Sequence, residues 1–341
     1  MKLVFVTQRL DPAHPTLGAT SAMVEALARR FDEIVVVAAS ASGPLPANVR
    51  FRSFAAPVRA LRGLRFESAL AREIVRGRPD ALLVHMSPVY ALLAAPLLRP
   101  LRVPVLLWFT QQQAGRALAR AEPFVDAILS VDRRSVPLAS RKVRAIGHGI
   151  DTGEFACANH STSREPLRLL SLGRYAEVKR HDMALRALRL LLDEGIAAEL
   201  VVRGEEALPG DALVRVRLGA LLRELGLEGR AHLLDAVPRQ DVPSLLARTD
   251  VLVNATRGAT ADKVVFEAFA ACVPAVAASP VFDALLPPEL RFADAEGLAR
   301  AITAAVALPA EHRRALRERI EREHSVDHWA DAVLACTLAR A

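Results

Sequence analysis

Lysine is rare in this chain, because only four of its 45 basic residues are lysines. Two of them, Lys179 and Lys263, lie where a predicted strand gives way to a predicted helix. The lysine ammonium group is a compact, strongly hydrated point charge, whereas the arginine guanidinium is a planar fork. Where arginine is otherwise the usual cation, a lysine at such a place indicates a site for a charged group such as phosphate.

The first candidate segment is residues 173–180, with the sequence GRYAEVKR, directly after a predicted strand at 167–172. Loops at the carboxyl ends of parallel strands are where α/β sheets bind ligands. Arg174 offers a planar fork and Lys179 a point charge, a pair that suits the two phosphoryl groups of a diphosphate. The alternative interpretation is a solvated, charged loop.

The second candidate segment is residues 262–270, with the sequence DKVVFEAFA, after a predicted strand at 251–254. A helix that begins here exposes unpaired N–H groups, which bind phosphate, and Lys263 adds a charge in the first turn. Glu267 lies four residues further on, where its carboxylate can accept hydrogen bonds from a ribose diol. The alternative is a surface ion pair between Lys263 and Glu267, worth about 0.3 kcal/mol.

Two weaker candidates lie in the first half of the chain. The loop at 11–20 lacks the GxGxxG pattern, which argues against a dinucleotide enzyme, but Gly18 would let the backbone approach a ligand in a cleft between domains. A plain connector is the alternative for this loop. His85 ends a predicted strand and could line the same cleft, although a lone histidine there is more often a structural residue.

Hydrophobic periodicity predicts an α/β fold. A chain of 341 residues exceeds one typical core, and short β-branched apolar runs alternate with helical patterns throughout. The predicted strands are 2–6, 33–38, 81–85, 103–109, 127–131 and 143–146, then 167–172, 199–203, 232–234, 251–254, 275–278 and 290–292. The predicted helices of the second half are 182–194, 213–225 and 263–271, followed by a helical tail from 295 to 340.

We therefore predict two Rossmann-like domains with a cleft between them. Residues 1–150 form the first domain and 151–325 the second, with a polar linker at 159–166. Ser325 is the predicted N-cap of a final helix at 326–341, which we place against the first domain.

A net charge of +7 and a pI near 10 would attract nucleic acid, anionic lipid or phosphorylated small molecules. Nucleic acid is disfavoured, because the arginines alternate with acids along predicted helices and aromatic residues make up only 5%. Several arginines of the first half could instead contact an anionic membrane, with a plain exposed helix face as the alternative. They are Arg59, Arg62, Arg65, Arg72, Arg76 and Arg78.

Cysteine spacing and hydropathy bound the location. Cys157, Cys272 and Cys336 have neither CxxC spacing nor an even number, so we expect no zinc site and no disulfide framework. No apolar run reaches the roughly 18 residues that would span a bilayer, and we expect a cytoplasmic protein, with the inner membrane face as an alternative.

Together these motifs resemble the retaining, nucleotide-sugar-dependent glycosyltransferases of the GT-B fold, family four or group 1 type. The family's "GR…K" motif is matched by Gly173, Arg174 and Lys179. Its "EAMACGxPVVA" motif resembles residues 267–277, and its interdomain "P-N/H-G-V/I-D…F" motif resembles residues 147–155. The resemblance covers nearly the whole chain.

The resemblance implies a first domain that binds the acceptor and a second that binds the donor, a nucleoside-diphosphate sugar. Arg174 and Lys179 would hold the diphosphate without a metal or another cofactor. Backbone near Val237 and Pro238 would contact the base. The remaining predicted donor contacts are Gly173, Asp262, Lys263, Val264, Val265 and Glu267. The acceptor stays open as a saccharide, a lipid-linked sugar or a small molecule.

Two positions depart from the family pattern. The first glutamate of the family's E-x7-E motif falls at Ala259, so Asp262 and Lys263 would replace it as a "DK" variant. A histidine that many members carry near the donor sugar is matched by Gln111, which can donate to a hydroxyl but cannot take a proton. These departures keep two alternatives open: a partner protein of this fold without turnover, and a nucleotide-sugar epimerase or hydrolase.

Overall fold

The computed structural model describes residues 1–112, 115–157 and 165–339. It divides into two compact units. The first contains Met1–Asp151 and the segment that begins at Glu323, and the second is Thr152–Arg322. Most of the predicted linker at 159–166 lies outside the described residues.

Strands and helices alternate in both units, as the periodicity predicts. The strands are β1 (Lys2–Val6), β2 (Arg9–Leu10), β3 (Glu33–Ala38), β4 (Ser40–Ala41), β5 (Val49–Ser53), β6 (Ala81–His85), β7 (Val105–Trp108), β8 (Ala127–Ser130), β9 (Val143–Ala145), β10 (Leu167–Leu172), β11 (Ala198–Gly204), β12 (Ala231–Asp235), β13 (Val251–Asn254) and β14 (Ala275–Ala277). The helices are α1 (Ala19–Ala28), α2 (Arg59–Arg76), α3 (Pro88–Leu98), α4 (Gly115–Ala121), α5 (His181–Asp193), α6 (Asp211–Glu224), α7 (Val242–Ala247), α8 (Lys263–Ala270), α9 (Ala295–Val306), α10 (Ala310–His324) and α11 (Val326–Leu338).

The first unit is built on a seven-stranded parallel sheet in the order β5-β3-β1-β6-β7-β8-β9. Six of these strands were predicted, and β5 was missed. Its sequence, VRFRS, alternates arginine with other residues because it is the edge strand and only partly buried. Uninterrupted apolar runs are typical of strands buried on both faces, and an edge strand of this kind lacks such a run.

A buried carboxylate on α2 joins that helix to this edge of the sheet through ion pairs. Glu73 of α2 is fully buried and lies 3.0 Å from Arg50, 3.0 Å from Arg52 and 3.4 Å from Lys2. Burial would raise the pKa of Glu73, but the hydrogen bonds and charges of the three cations keep it below its ordinary value. Lys2 is therefore one of the rare lysines with a structural role.

Helix α2 leaves part of its surface in solvent. Leu64 is 63% and Val75 88% exposed, beside exposed arginines of the same helix. The predicted contact with an anionic membrane stays a prediction. No helix in the described part of the chain is both long and apolar enough to cross a membrane.

The final helix, α11, belongs to the first unit. The Ser325 side chain accepts a hydrogen bond from the His328 N–H at 3.2 Å, so the predicted N-cap is confirmed. Asp327 of α11 pairs with Arg29 at 2.8 Å and with Arg30 at 2.9 Å, and Trp329 is fully buried. The end of the chain thus packs against α1.

The second unit has a five-stranded parallel sheet in the order β12-β11-β10-β13-β14. The chain starts at the central strand β10, adds β11 and β12 on one side, and then crosses to add β13 and β14 on the other. The carboxyl ends of β10 and β13 therefore flank the point where the strand order reverses, which is the usual ligand position in such sheets.

The predicted strand at 290–292 was wrong. Pro288–Leu290 forms a 3-10 turn, and only an isolated bridge joins Arg291 to Ala277. Pro287 and Pro288 fix φ and remove two backbone donors, so the apolar residues that follow do not extend into a ladder.

The expectation of no disulfide was also wrong. Cys157 and Cys272 form a disulfide with a Cα–Cα distance of 4.9 Å, while Cys336 is a buried free cysteine. The two bonded cysteines are 115 residues apart, and no spacing pattern in the sequence indicates such a pair. The bond ties the segment after Phe155 to the end of α8.

A close backbone approach at the end of β11 generates a stability prediction. A Cβ on Gly204 would lie 2.1 Å from the Gly173 carbonyl oxygen, so Gly204→Ala must displace the loop after β10. We expect a loss of about 2 kcal/mol or more in unfolding free energy, measured by urea denaturation. The control is Gly219→Ala within α6, where only an Arg223 nitrogen lies near, at 3.9 Å. It should be neutral or stabilise by up to about 1 kcal/mol. Equal stability of the two variants would contradict the close approach.

Candidate functional site

Two loops meet at the carboxyl ends of β10 and β13. One is residues 173–180, after β10, and the other is residues 255–262, between β13 and α8. Because β10 and β13 are adjacent and parallel, both loops leave the sheet at the same edge. The Arg257 N–H donates to the Val178 carbonyl at 2.8 Å, so the loops are joined through their backbones.

An ion pair between Lys179 and Asp262 joins the same loops through their side chains. The Lys179 ammonium donates to Asp262 Oδ1 at 2.6 Å. The other carboxylate oxygen, Oδ2, accepts from the Asn254 amide at 2.7 Å and from the Thr256 hydroxyl. Burial would raise the pKa of Asp262, but the Lys179 charge and these three hydrogen bonds lower it below its ordinary value. Asp262 is therefore the charged partner of Lys179 in this ion pair.

Gly173 gives Lys179 its place. A Cβ at position 173 would lie 3.2 Å from Cε and 3.3 Å from Cδ of Lys179, closer than most Cβ contacts, so the lysine stem would have to shift by a few tenths of an ångström. The glycine of the "GR…K" motif thus lets the lysine stem lie against the backbone of its own loop. The two residues that match the motif, Gly173 and Lys179, are therefore also neighbours in the structure.

Arg174 lies in the same loop but faces a different carboxylate. Its guanidinium is 3.3 Å from Asp211 Oδ2, at the start of α6. Asp211 is 4% exposed and also accepts from the N–H groups of Ala207 and Leu208, each at 3.0 Å. The side chain of Arg174 is about one-third exposed. Both predicted diphosphate-binding cations are therefore paired with acids in this structure.

Two buried side chains that no sequence motif singled out, Tyr175 and His181, hold this loop in place. Tyr175 is fully buried. Its hydroxyl group lies within hydrogen-bond distance of two carbonyl oxygens, that of Leu234 at 2.8 Å and that of Val202 at 3.2 Å. Burial raises the pKa of Tyr175 to about 12, so it remains a neutral donor. An aromatic residue within the charged segment 173–180 was the available signal.

His181 was missed as well. It is 3% exposed, with Nε2 3.1 Å from the Arg174 carbonyl and Nδ1 2.9 Å from the Ser171 hydroxyl. A carbonyl only accepts, so Nε2 carries the proton and Ser171 donates to Nδ1. Burial lowers the pKa of His181 to about 4, with the Arg174 carbonyl opposing this effect. The imidazole is thus a neutral anchor for the loop and not an acid or base.

The start of α8 brings a second group of charges together. Glu267 is 5% exposed and lies 3.3 Å from Arg239, a buried residue that the sequence analysis did not single out. Arg239 also pairs with Glu154 at 2.6 Å. Burial lowers the pKa of the half-buried Lys263 to about 8; Glu267 and Glu154 oppose this shift, and Arg239 adds to it.

One backbone N–H of the first turn of α8 already has a hydrogen-bond partner. The Val265 N–H donates to the Asp262 carbonyl at 3.1 Å, and the side chains of Val264 and Val265 are buried. Val237 is half-buried and Pro238 exposed, immediately before Arg239. All the predicted donor contacts thus lie in the second unit, in the loops after β10, β12 and β13 or on α8.

The remaining candidates lie in the first unit. Gly18 precedes α1 with a φ of −57°, an ordinary helical angle that does not require glycine. His85 is 7% exposed, with Nδ1 3.1 Å from the Thr7 hydroxyl, which favours the structural alternative. Gln111 is exposed in the loop after β7. Over the described ranges, no cluster of three or more His, Cys, Asp or Glu side chains could hold a metal ion.

The neutral, buried His181 makes stability depend on pH. Its pKa is about 6.5 in the unfolded chain and about 4 when folded, so only the unfolded chain gains a proton as pH falls between these values. The full stabilisation is present above pH 6.5 and is lost as pH falls towards 4, by about 2 kcal/mol at pH 5. His181→Gln can keep both hydrogen bonds without titrating. We expect wild type to lose more thermal stability than this variant between pH 7 and pH 5, and parallel losses would contradict the assignment.

The part of the chain that contains these loops matches a known protein family. Residues 166–307, which include β10 to β14 and the loops described above, match the family model described as "Glycosyl transferases group 1". No curated protein matches the chain. Similar solved structures cover almost the whole chain at low sequence identity.

A glycosyltransferase from Rickettsia africae superposes with a TM-score of 0.77 at 13% identity, over 99% of this chain and 98% of that one. Sucrose-phosphate synthase from Thermosynechococcus elongatus gives 0.75 at 14% identity, over 100% of both chains. A UDP-forming trehalose-phosphate synthase from Burkholderia xenovorans gives 0.71 at 13% identity, over 99% of both. The predicted GT-B fold is confirmed for the chain, and residues 166–307 carry the group 1 glycosyltransferase match.

Proposed function

We propose that the protein is a retaining glycosyltransferase that uses a nucleoside-diphosphate sugar. One observation carries the proposal: Lys179, Arg174 and the start of α8 are brought to one sheet edge, where the strand order reverses. This is the position at which α/β sheets bind ligands, and the cations there suit a diphosphate. The group 1 match over residues 166–307 supports the same assignment.

Catalysis in this proposal is mainly positioning and charge stabilisation. The bond between the anomeric carbon of the donor and the diphosphate oxygen breaks, and a bond to an acceptor hydroxyl oxygen forms on the same face of the sugar. The acceptor's proton passes to the departing diphosphate, so no protein base is needed and Gln111 is compatible with turnover. Arg174 and Lys179 neutralise the negative charge that develops on the leaving group.

The ion pairs of the site imply an exchange of partners. Lys179 is already bound to Asp262 and Arg174 to Asp211, so a diphosphate competes with these carboxylates when it binds. Asp262 is then a counter-ion that keeps Lys179 in place before the donor arrives. Its "DK" position thus has a physical role, whether or not it contacts the donor sugar as the sequence pattern suggests.

The acceptor is proposed only as a hydroxyl compound. Similar structures include synthases of sucrose phosphate and trehalose phosphate, one of them in complex with glucose-6-phosphate, and WaaG, which is involved in lipopolysaccharide biosynthesis. At 13–15% identity these likenesses concern the fold. A saccharide, a lipid-linked sugar and a small molecule therefore all remain candidates.

A donor-binding protein without turnover is the second candidate. Ala259, in place of the family's first glutamate, and the pairing of the predicted cations with acids favour it. Both candidates bind the nucleotide. Only the transferase releases nucleoside diphosphate when the intact nucleotide sugar and an acceptor are supplied together.

The proposed function predicts opposite effects for the two partners of one ion pair. We would titrate UDP, GDP, ADP and TDP by calorimetry and expect micromolar binding of one of them. Lys179→Ala and Lys263→Ala should each weaken that binding about tenfold or more, because a phosphate loses a charged partner. Asp262→Asn should tighten it about threefold at low salt, because the competing charge is gone.

Lys142→Ala is the control for these variants. The Lys142 ammonium donates to the Glu122 carbonyl at 2.8 Å in the first unit, so its removal should leave nucleotide affinity unchanged. Weaker binding by Asp262→Asn would contradict the exchange of partners. Failure of all four nucleotides to bind wild type would overturn the proposed function.

A further inference from the structure

A buried arginine lies between two acids beside the start of α8. The Arg239 side chain is 8% exposed and pairs through one terminal nitrogen, Nη2, with Glu154 at 2.6 Å and with Glu267 at 3.3 Å. Its guanidinium also lies over the Phe155 ring, 5.3 Å from the centroid. We call Glu154, Arg239 and Glu267 the E-R-E cluster.

The cluster is costly to bury, which argues against a purely accidental contact. Arg239 Nε and Nη1 are buried without a hydrogen-bond partner in the structure. An unpaired buried donor loses its hydration without compensation, and a buried ion pair seldom returns more than its desolvation penalty. Stability alone would be served as well by an apolar residue at position 239. A role for the fixed charge is the simpler explanation.

The cluster fixes the direction of the Glu267 carboxylate. Glu267 is itself 5% exposed, and its side chain lies on the helix that begins at Lys263. The only ion pair described for Glu267 is with Arg239, at Oε1, which leaves Oε2 outside that contact. A carboxylate held by one oxygen can still accept hydrogen bonds at the other.

Glu154 connects Arg239 to the segment with which the second unit begins. Glu154 lies in the 3-10 turn Thr152–Glu154, and the next residue, Phe155, is buried. The Phe155 carbonyl accepts from Arg317 at 2.6 Å, and Arg317 also donates to the carbonyl of Ala270 at the end of α8. Arg317 thus links the segment that contains Glu154 and Phe155 to the end of α8, and Arg239 pairs with Glu154 of the same segment.

We propose that Arg239 is a positioning residue that holds the Glu267 carboxylate for the ribose diol of the donor nucleotide. This inference rests on the proposed function. Glu267 accepts from the two ribose hydroxyls, Arg239 keeps the carboxylate oriented, and Glu154 pairs with the same guanidinium nitrogen. The diphosphate is bound separately, by Lys179 and its neighbours. Recognition of the sugar ring of the nucleoside therefore depends on Arg239, and recognition of the diphosphate does not.

The test compares a ribonucleotide with its 2′,3′-dideoxy counterpart. Using the base that wild type selects, we would measure the affinity of the nucleoside diphosphate and of the 2′,3′-dideoxynucleoside diphosphate. Wild type should prefer the ribonucleotide about tenfold or more, the value of a hydrogen bond to a charged acceptor. Arg239→Gln should reduce this preference to below about threefold, with the affinity for the dideoxynucleotide unchanged.

Matched variants separate positioning from folding. Arg239→Lys keeps the charge but not the fork and should retain an intermediate preference. Glu154→Gln leaves the pair of Arg239 with Glu267 and should keep most of it. Arg168→Gln is the control, since Arg168 pairs with Asp250 at 3.1 Å at the opposite end of β10 and should not alter the preference.

Each outcome decides a different claim. A wild-type preference that survives in Arg239→Gln would overturn the role of Arg239 and leave the proposed function intact. Equal weakening of ribonucleotide and dideoxynucleotide binding in Arg239→Gln would show a structural role only and also overturn it. Wild type that binds neither nucleotide would overturn the proposed function, and this inference with it. If Arg239→Gln does not fold, the graded preference in Arg239→Lys decides the question.

Discussion

The ion pair between Lys179 and Asp262 is the contact on which the candidate site depends. Parallel pairing of β10 with β13 brings two loops that are distant in sequence to one edge of the sheet. The ion pair, 2.6 Å long, then fixes the loops against each other, and Gly173 provides the room that the lysine stem requires. His181 and Tyr175 also hold this loop. His181 bonds to the Arg174 carbonyl and to Ser171, and Tyr175 donates to the Leu234 carbonyl. These contacts fix the backbone of the loop that carries Lys179.

Charge balance is the second constraint. Arg174, Lys179 and Arg239 each lie beside at least one carboxylate, so the site carries little excess positive charge despite the +7 of the chain. An unbalanced group of buried cations would destabilise the unit, since desolvated charges require partners. Under the proposed function, a diphosphate that enters this site exchanges with the acids already present. Affinity would then depend on how readily each acid releases its cation, which differs between Arg174, about one-third exposed, and the more buried Lys179.

Much of this fold could be predicted from the sequence, for a physical reason. Strands buried on both faces must be apolar, and β1, β3, β6, β10 and β13 were predicted with the bounds that the structure has. Edge strand β5 has only partial burial and gave no such signal. The bond between Cys157 and Cys272 depends on a contact across 115 residues, which local patterns do not encode.

The site was predictable to the same limit. Lys179 and Glu267 stand out because of residue type and motif spacing. Asp211, which pairs with Arg174, and Arg239 and Glu154, which pair with each other beside Glu267, are ordinary charged residues until the fold brings them together. Sequence patterns therefore identified the groups expected to touch a ligand but, apart from Asp262, not the groups that neutralise and orient them.

The central claim is that a nucleoside diphosphate binds between the loops after β10 and β13 and takes Lys179 from Asp262. A crystal structure of the protein with the nucleoside diphosphate that it binds would test this most directly. The account predicts a phosphate oxygen within hydrogen-bond distance of Lys179 Nζ, and a Lys179–Asp262 distance longer than the present 2.6 Å. A nucleotide bound elsewhere, or one bound at this edge with the ion pair unchanged, would contradict it.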